Sequence, residues 1–311
     1  MPTVWITGGK GFIGRNLAKF AGRQNSAVYG IGHGFWTDDD FNSWGFNHWL
    51  NAEIDFAGLS QLASQSGKPD IIFHLAGGSA VGPSIQNPYE DFQRTVDTTA
   101  RLLEWVRQSS PDSKVIGVSS AAVYGSAFNK PINEQENGKP FSPYGFHKSM
   151  LEALFSSYRD SFGLDLSIVR FFSVYGPGLE KQLLWDLCQK LEKSDSTEIT
   201  LNGTGNEVRD WLHISDAMEL LWLLASKPKI ETTVVNGGTG IGTAVAEIAA
   251  LVCEQWDKNY SVKFSGISRK GDPKSLVADV SLASELGFTP KVSIQHGISE
   301  VVSWYKARSP S

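Results

Sequence analysis

The sequence is poor in the residues that mark several protein classes. It holds two cysteines in 311 residues, Cys188 and Cys253, far apart in the chain. Two thiols make no disulfide framework and form no metal-like pair, so a reducing, cytoplasmic setting is expected, with no metal. No run of about 18 apolar residues exists, so no membrane insertion is expected. Lys and Arg never cluster, and 28 basic residues against 33 acidic ones leave a net charge of −5. Nucleic acid is therefore not an expected partner. The chain runs straight into MPTVWITGG without a basic segment and a long apolar one, so no signal peptide is expected. Internal repeats and Pro- or Ser-rich linkers are missing as well. What remains is ordinary for a globular chain, 41% hydrophobic and 20% charged. The excess is in glycine: 31 of 311, about 10% against a usual ~7%.

Apolar patterning predicts short strands at Thr3 to Thr7, Ala27 to Ile31, Asp70 to Leu75, Lys114 to Val118 and Leu166 to Phe172. Helical patterns lie at 12–20, 88–109 and 142–162. This alternation implies a parallel sheet with helices on both faces. The segment 32–49 carries three of the ten tryptophans with little periodicity and reads as a loop with local packing. Beyond residue 175 the pattern loosens. A helix is expected near 179–193 and a strand near 197–201. Strand 233–235 and helix 247–254 are expected to return to the first layer. The domains are thus interleaved.

TGGKGFIG (7–14) follows the first strand and opens the first helix, with Gly8, Gly11 and Gly14 three apart. Such a loop lets backbone approach a pyrophosphate, whose charge faces the free N–H groups of the helix start. A dinucleotide site also expects an acid at the end of the second strand. Here that strand runs into Gly32, His33 and Gly34, and the first carboxylate is Asp38. Without the acid, and with Lys10 and His33 as candidate partners for a 2′-phosphate, NADP(H) is favoured, with NAD(H) the alternative.

Among eight tyrosines only Tyr144 is followed by a lysine four residues on, Lys148. Ser142 reads as an N-cap and Pro143 as the first helical residue. Tyr144 and Lys148 then share a face one turn apart. An ammonium there is expected to lower the phenol's pKa and ready it for proton exchange with a substrate oxygen. Ser120, at a predicted strand end 24 residues earlier, could hydrogen-bond the same oxygen.

With TGGKGFIG, SSAAVYG (119–125) and YGFHK (144–148) in this order and spacing, the chain resembles the extended short-chain dehydrogenase/reductases. Within them it is similar to the nucleotide-sugar epimerase/dehydratase/reductase group, over nearly its whole length. The resemblance implies a Rossmann-like, doubly wound parallel α/β sheet with a smaller, interleaved α/β substrate domain. It sets the dinucleotide domain at 1–174 plus segments near 206–256, and the nucleotide-sugar domain at 175–205 and 257–311. It implies Ser120, Tyr144 and Lys148 as the catalytic triad. Gly8, Gly11, Phe12, Ile13 and Gly14 would hold the cofactor diphosphate. Glu53 and Ile54 would flank adenine, and Leu75, Ala76 and Gly77 would line the path to the nicotinamide. On the substrate side it implies Ser79, in HLAGGSAVGPS (74–84), and Ser173 as substrate contacts, Arg209 and Arg269 for the diphosphate, and Asp272 for the ribose. It also implies a homodimer through helices 88–109 and 142–162, with Leu102, Leu103, Trp105, Val106, Leu151, Leu154 and Phe155 supplying apolar surface.

Departures from the group's pattern narrow the chemistry. Ser120-Ala121-Ala122 stands where dehydratases carry Thr-Asp-Glu, so an acid for 4,6-elimination is missing. Ala122 also replaces the cysteine of 3,5-epimerase/4-reductases. Thr95 and Ser173 stand where asparagines are common. The favoured reading is NADP(H)-dependent reduction of the C4 keto group of a nucleotide-linked (6-deoxy)hexose. The alternatives are an NAD-dependent nucleotide-sugar 4-epimerase and a non-catalytic dinucleotide-binding regulator.

Overall fold

In a computed structural model, residues 1–228, 234–256, 260–267 and 273–308 are described. The strands, in chain order, begin with β1 (Thr3–Thr7), β2 (Ala27–Gly32), β3 (His48–Asn51), β4 (Ile71–His74), β5 (Lys114–Ser120) and β6 (Leu166–Phe171). β7 (Ser173–Tyr175), β8 (Glu198–Leu201), β9 (Val208–His213), β10 (Val234–Gly237), β11 (Gly242–Ala244), β12 (Ser261–Phe264) and β13 (Ser275–Leu276) follow. A seven-stranded sheet has the order β10-β6-β5-β4-β1-β2-β3. β1 pairs in parallel with both β2 and β4, so the strand order reverses between β1 and β4. In such sheets ligands bind beyond the carboxyl ends of the strands at the reversal.

The first unit comprises residues 1–124, 138–171 and 218–235. Its helices are α1 (Phe12–Arg23), α2 (Asp38–Ser43), α3 (Phe56–Ser66), α4 (Val81–Gln86), α5 (Pro88–Phe92), α6 (Thr98–Ser109), α7 (Pro143–Phe162) and most of α9 (Ile214–Ser226). The strands are short and apolar because both sheet faces are covered. Trp5 and Trp105 meet at 5.1 Å in that core, and their indole N–H groups donate to Ser66 and Ser60. On the other face Trp222 of α9 stacks on Phe73 of β4.

The second unit comprises residues 125–137, 172–217 and 236–311. Here β7, β11 and β13 all pair with β9, and β8 pairs with β12. α8 (Gln182–Lys193), α10 (Val245–Glu254) and α12 (Ile294–Lys306) enclose a core of Leu187, Cys188, Val252, Ile298 and Val302, while α11 (Ser281–Glu285) is a short turn of helix.

Four expectations need correction. The segment 32–49 is more than a loop: Thr37 and Asp40 form a reciprocal capping box that starts α2, and β3 follows. The helix 247–254 does not return to the first layer, because Ile248, Val252 and Cys253 belong to the second unit's core. Only 218–235 returns to the first unit, a narrower piece than 206–256, since β9 is tied into the second unit's sheet. Finally, Leu102, Leu103, Trp105, Val106, Leu151 and Phe155 are buried in the first unit's own core, with Leu154 packed against it. The sheet needs that cover, so the buried six are not surface available to a second copy.

Candidate active site

Three strand ends of the first unit converge on the site. β1 ends at Thr7, β4 at His74 and β5 at Ser120. Beyond β1, Gly8 has φ +69°, and a Cβ on it would lie 2.8 Å from the Ala76 backbone nitrogen. A Cβ on Gly14 would lie 2.7 Å from the Gly8 carbonyl. Only glycine fits either place. α1 starts at Phe12 with Gly11 as its cap, no capping side chain and no acid in its first turn. Its N–H groups and dipole are thus left to an anion. A cradle of this shape fits the diphosphate of a dinucleotide.

The α7 start follows from local chemistry. Ser142 accepts from the Gly145 N–H, and Pro143 needs no donor. The Tyr144 N–H, one of the free donors of a helix start, donates to Ser84 Oγ at 3.0 Å. A Cβ on Gly145 would lie 2.7 Å from the Ala122 carbonyl, so this glycine lets α7 approach the turn after Ser120. Ser120, Tyr144 and Lys148 are thereby brought together. Burial pushes the Tyr144 phenol above its ordinary value, a hydrogen bond with Ser120 pulls it down, and the charge of Asp91 raises it further. The phenol thus lies above its ordinary value, where a lowered one was expected, and the hydrogen bond with Ser120 is what pulls it back down. The Lys148 ammonium donates to the Val118 carbonyl at 2.9 Å and lies 5.9 Å from the Tyr144 ring centroid. Burial pushes it down to about 8, against the opposing pull of Asp91 and Glu152.

The floor beside Lys148 is the segment Leu75–Gly78. A Cβ on Gly77 would lie 3.4 Å from Lys148 Nζ, so glycine lets the ammonium and the loop meet. Sequence reading missed what holds this floor. Thr99 Oγ1 donates to the Thr95 carbonyl, so toward His74 Nε2 it can only accept. The His74 proton therefore sits on Nε2, and Nδ1 accepts from Thr7 Oγ1 at 2.8 Å. Thr7 Oγ1 in turn accepts from the Leu75 and Ala76 N–H groups, and Thr95 Oγ1 from Gly78 N–H at 2.8 Å. Burial and the Lys148 charge hold His74 down to about 3, so it is neutral throughout. The Thr95 placement needs the π turn Gln93–Asp97 between α5 and α6, which helical periodicity alone does not reveal.

At the end of β2, Lys10 Nζ donates to the Phe35 carbonyl at 2.8 Å and lies over the Trp36 ring. Asn51 accepts from the Gly34 N–H. His33 Nε2 faces Glu53 at 3.6 Å, with the side chains 71% and 68% exposed. The acid that the end of β2 lacks in sequence is thus brought there from beyond β3. Ile54 is buried in the core beside Ile31 and Leu59, while Phe12, Ile13, Leu75 and Ala76 are half-buried and Ser79 is exposed.

In the second unit, Ser173 opens β7, and Arg209 Nη1 donates to the Val208 and Pro273 carbonyls at 2.9 and 2.8 Å. Asp210, beside it, is a structural acid that accepts from Thr239, Gly240 and Ala278. Arg269 and Asp272 lie outside the described residues. Among the described residues no cluster of His, Cys, Asp and Glu is arranged to hold a metal, and no helix is long and apolar enough to cross a membrane.

A model of the GDP-mannose 4,6 dehydratase family matches residues 5–301. The chain belongs to this family. Its fold is the Rossmann-like α/β architecture of the extended short-chain dehydrogenase/reductase type, in the nucleotide-sugar epimerase/dehydratase family. Over 97% of its length the chain is 29% identical to a putative UDP-glucose 4-epimerase of Methanocaldococcus jannaschii, covering 98% of that protein. It is 30% identical to the CDP-paratose 2-epimerase of Salmonella typhi, across 96% of this chain and 98% of that one. The UDP-glucuronic acid 4-epimerase of Bacillus cereus, solved with UDP-glucuronic acid and NAD, superposes with a TM-score of 0.86 at 26% identity, covering 98% and 99% of the two chains.

Proposed function

We propose that this member of the family is an NAD-dependent nucleotide-sugar 4-epimerase of the cytoplasm. The carrying observation is that Tyr144, hydrogen-bonded to Ser120, stands as acid/base beside Ala121 and Ala122, where an eliminating enzyme needs carboxylates. One group that both takes and returns a proton suits oxidation and reduction at a single carbon. The likeness to 4-epimerases over nearly the full length supports the same reading.

Gly8, Gly11, Phe12, Ile13 and Gly14 would hold the dinucleotide diphosphate, and Gly77 the nicotinamide side. When bound, the nicotinamide supplies the hydride acceptor and donor. Tyr144 takes the proton of the sugar C4 hydroxyl and later returns it. Ser120 holds the same oxygen, and Lys148 supplies the positive charge beside the phenol. Ser79, Ser173, Arg209, Arg269 and Asp272 remain the proposed contacts of the nucleotide sugar.

The end of β2, where this fold holds the adenosine ribose, favours NAD over the NADP(H) expected from sequence. Lys10 is engaged by Phe35 and Trp36, and Glu53 puts a carboxylate where a 2′-phosphate would add negative charge.

The test is incubation of the purified protein with UDP-, CDP-, GDP- and dTDP-hexoses without added cofactor, followed by NMR. Appearance of the C4 epimer, with NAD released on denaturation, is expected. Stoichiometric NADPH oxidation with a 4-keto sugar, and no interconversion of epimers, would sink the reading in favour of the reductase.

A further inference from the structure

Behind the catalytic pair lies a second, buried pair that neither epimerase chemistry nor the sequence motifs call for. Asp91 of α5 is 7% exposed, and its Oδ2 meets His147 Nδ1 at 2.5 Å. His147 is buried too, and Phe92 presents a ring edge-on to it, 5.6 Å between centroids. The other oxygen of Asp91 packs against Gly78, where any Cβ would overlap Oδ1. Its two partners are the chain neighbours of two residues that meet at the site. Gly78 adjoins Gly77, which packs on the Lys148 ammonium, and His147 adjoins Lys148 itself.

A buried carboxylate is costly unless it is hydrogen-bonded and answered by opposite charge. Here it is placed where its field reaches both Lys148 and Tyr144. The other ionisable groups facing these two are few. Glu152 lies one turn further along α7, but Arg170 binds both its oxygens at 2.9 and 2.7 Å. His74, from β4, is neutral. Glu152 is thus answered by an arginine, whereas the partner of Asp91 among the described residues is the His147 imidazole.

We propose that Asp91 is a positioning residue for the Tyr144–Lys148 pair: joined to α7 through His147 and seated on the Gly77–Gly78 loop, it fixes both sides of the Lys148 pocket and sets the charge balance there. The proposal rests on the reading of Tyr144 and Lys148 as the acid/base pair. A carboxylate at this place raises both groups, because it favours the ammonium and disfavours the phenolate.

The test reads the Tyr144 phenolate step by absorbance near 295 nm, as the difference between the protein and its Tyr144→Phe variant across pH. Asp91→Asn, nearly isosteric, is expected to move that step down by about one pH unit. Asp91→Glu, which keeps the charge, is expected to leave it in place. Asp91→Asn combined with His147→Gln supplies a second charge-free variant, whose two amides can still hydrogen-bond, should the single change fail to fold. In turnover, kcat of Asp91→Asn should follow the shifted step with KM within about twofold, since substrate binding is untouched. A Tyr144 step unmoved in a folded charge-free variant overturns the proposal and leaves Asp91 a packing residue. The titration needs no substrate. A protein that epimerises nothing but shows the shift would therefore defeat the functional reading alone.

Discussion

Tyr144 is set between opposing influences: burial raises its phenol and Ser120 lowers it. Tyr144→Phe removes the hydroxyl and keeps the ring, so kcat should fall about 10²- to 10⁴-fold with folding unchanged, as measured by steady-state epimerisation and circular dichroism. Lys148 makes a different prediction, in stability. Its pKa of about 8 in the folded protein lies below the 10.5 of an unburied lysine. Between those values the unfolded chain binds more protons, so stability rises with pH there. The penalty is complete below about pH 8 and fades as pH climbs through 10.5. Lys148→Met should therefore abolish turnover yet raise the melting temperature at pH 7, through removal of a burial cost on the order of 3 kcal/mol. Calorimetry at pH 7 and pH 10.5 checks this, and the variant's advantage should be gone at the higher pH.

α7 organises the first unit as an element. Ser142 and Pro143 start it, and Gly163, with φ +71°, ends it. In between, one helical stripe meets a succession of partners: Tyr144 at Ser120, Lys148 at Val118, Glu152 at Arg170 and Phe155 at Gly117. A Cβ on Gly117 would lie 2.5 Å from the Phe155 ring, so β5 is glycine where α7 crosses it. Arg170 ties β6 to the same helix through Glu152 and also donates to the Tyr124 hydroxyl at 2.8 Å. Arg170→Met leaves the Glu152 charge buried without its partner, and Ser119, the remaining donor to it, is neutral. Urea unfolding should show a loss of about 3–5 kcal/mol. The start of α7 was readable from its Ser142 cap and Pro143, and the strands it crosses from their apolar patterning. The break between α5 and α6 was not, because a π turn keeps the helix nearly continuous and changes only which side chains point inward.

Across the whole molecule, ligand linkage gives the simplest reading of cofactor choice. A ligand held only by the folded chain adds about 2.7 kcal/mol at a hundred times its Kd. Protein stripped of dinucleotide should melt higher with NAD than with NADP at equal concentration, because Glu53 stands at the end of β2 and Lys10 is engaged. Glu53→Gln should narrow that difference, as thermal shift would show. Self-association has a changed prediction too. The apolar side chains first assigned to a dimer bundle are mostly core, so a homodimer built on α7 would draw on its exposed apolar residues, among them Phe146 and Met150, one turn apart and 45% and 44% exposed. Phe146→Lys with Met150→Lys should yield monomers by sedimentation while leaving the core intact.

The sequence by itself determined the strand–helix alternation, the glycine loop, and the Ser120, Tyr144 and Lys148 set. These depend on local periodicity, on caps, and on residue types whose spacing carries their chemistry. Tertiary structure decided what depends on proximity between distant segments. It brought Glu53 to His33 and so supplied, 20 residues on, the acid that the second strand lacks. It engaged Lys10 with Phe35, and it set His74 between Thr7 and Thr99 and Asp91 against His147. Charge and hydrogen bonding act through space, and a carboxylate or an imidazole reads alike in sequence whether it is solvated, structural or poised at a reacting centre. Only the fold separates those cases, because only the fold sets each group's burial and its partners.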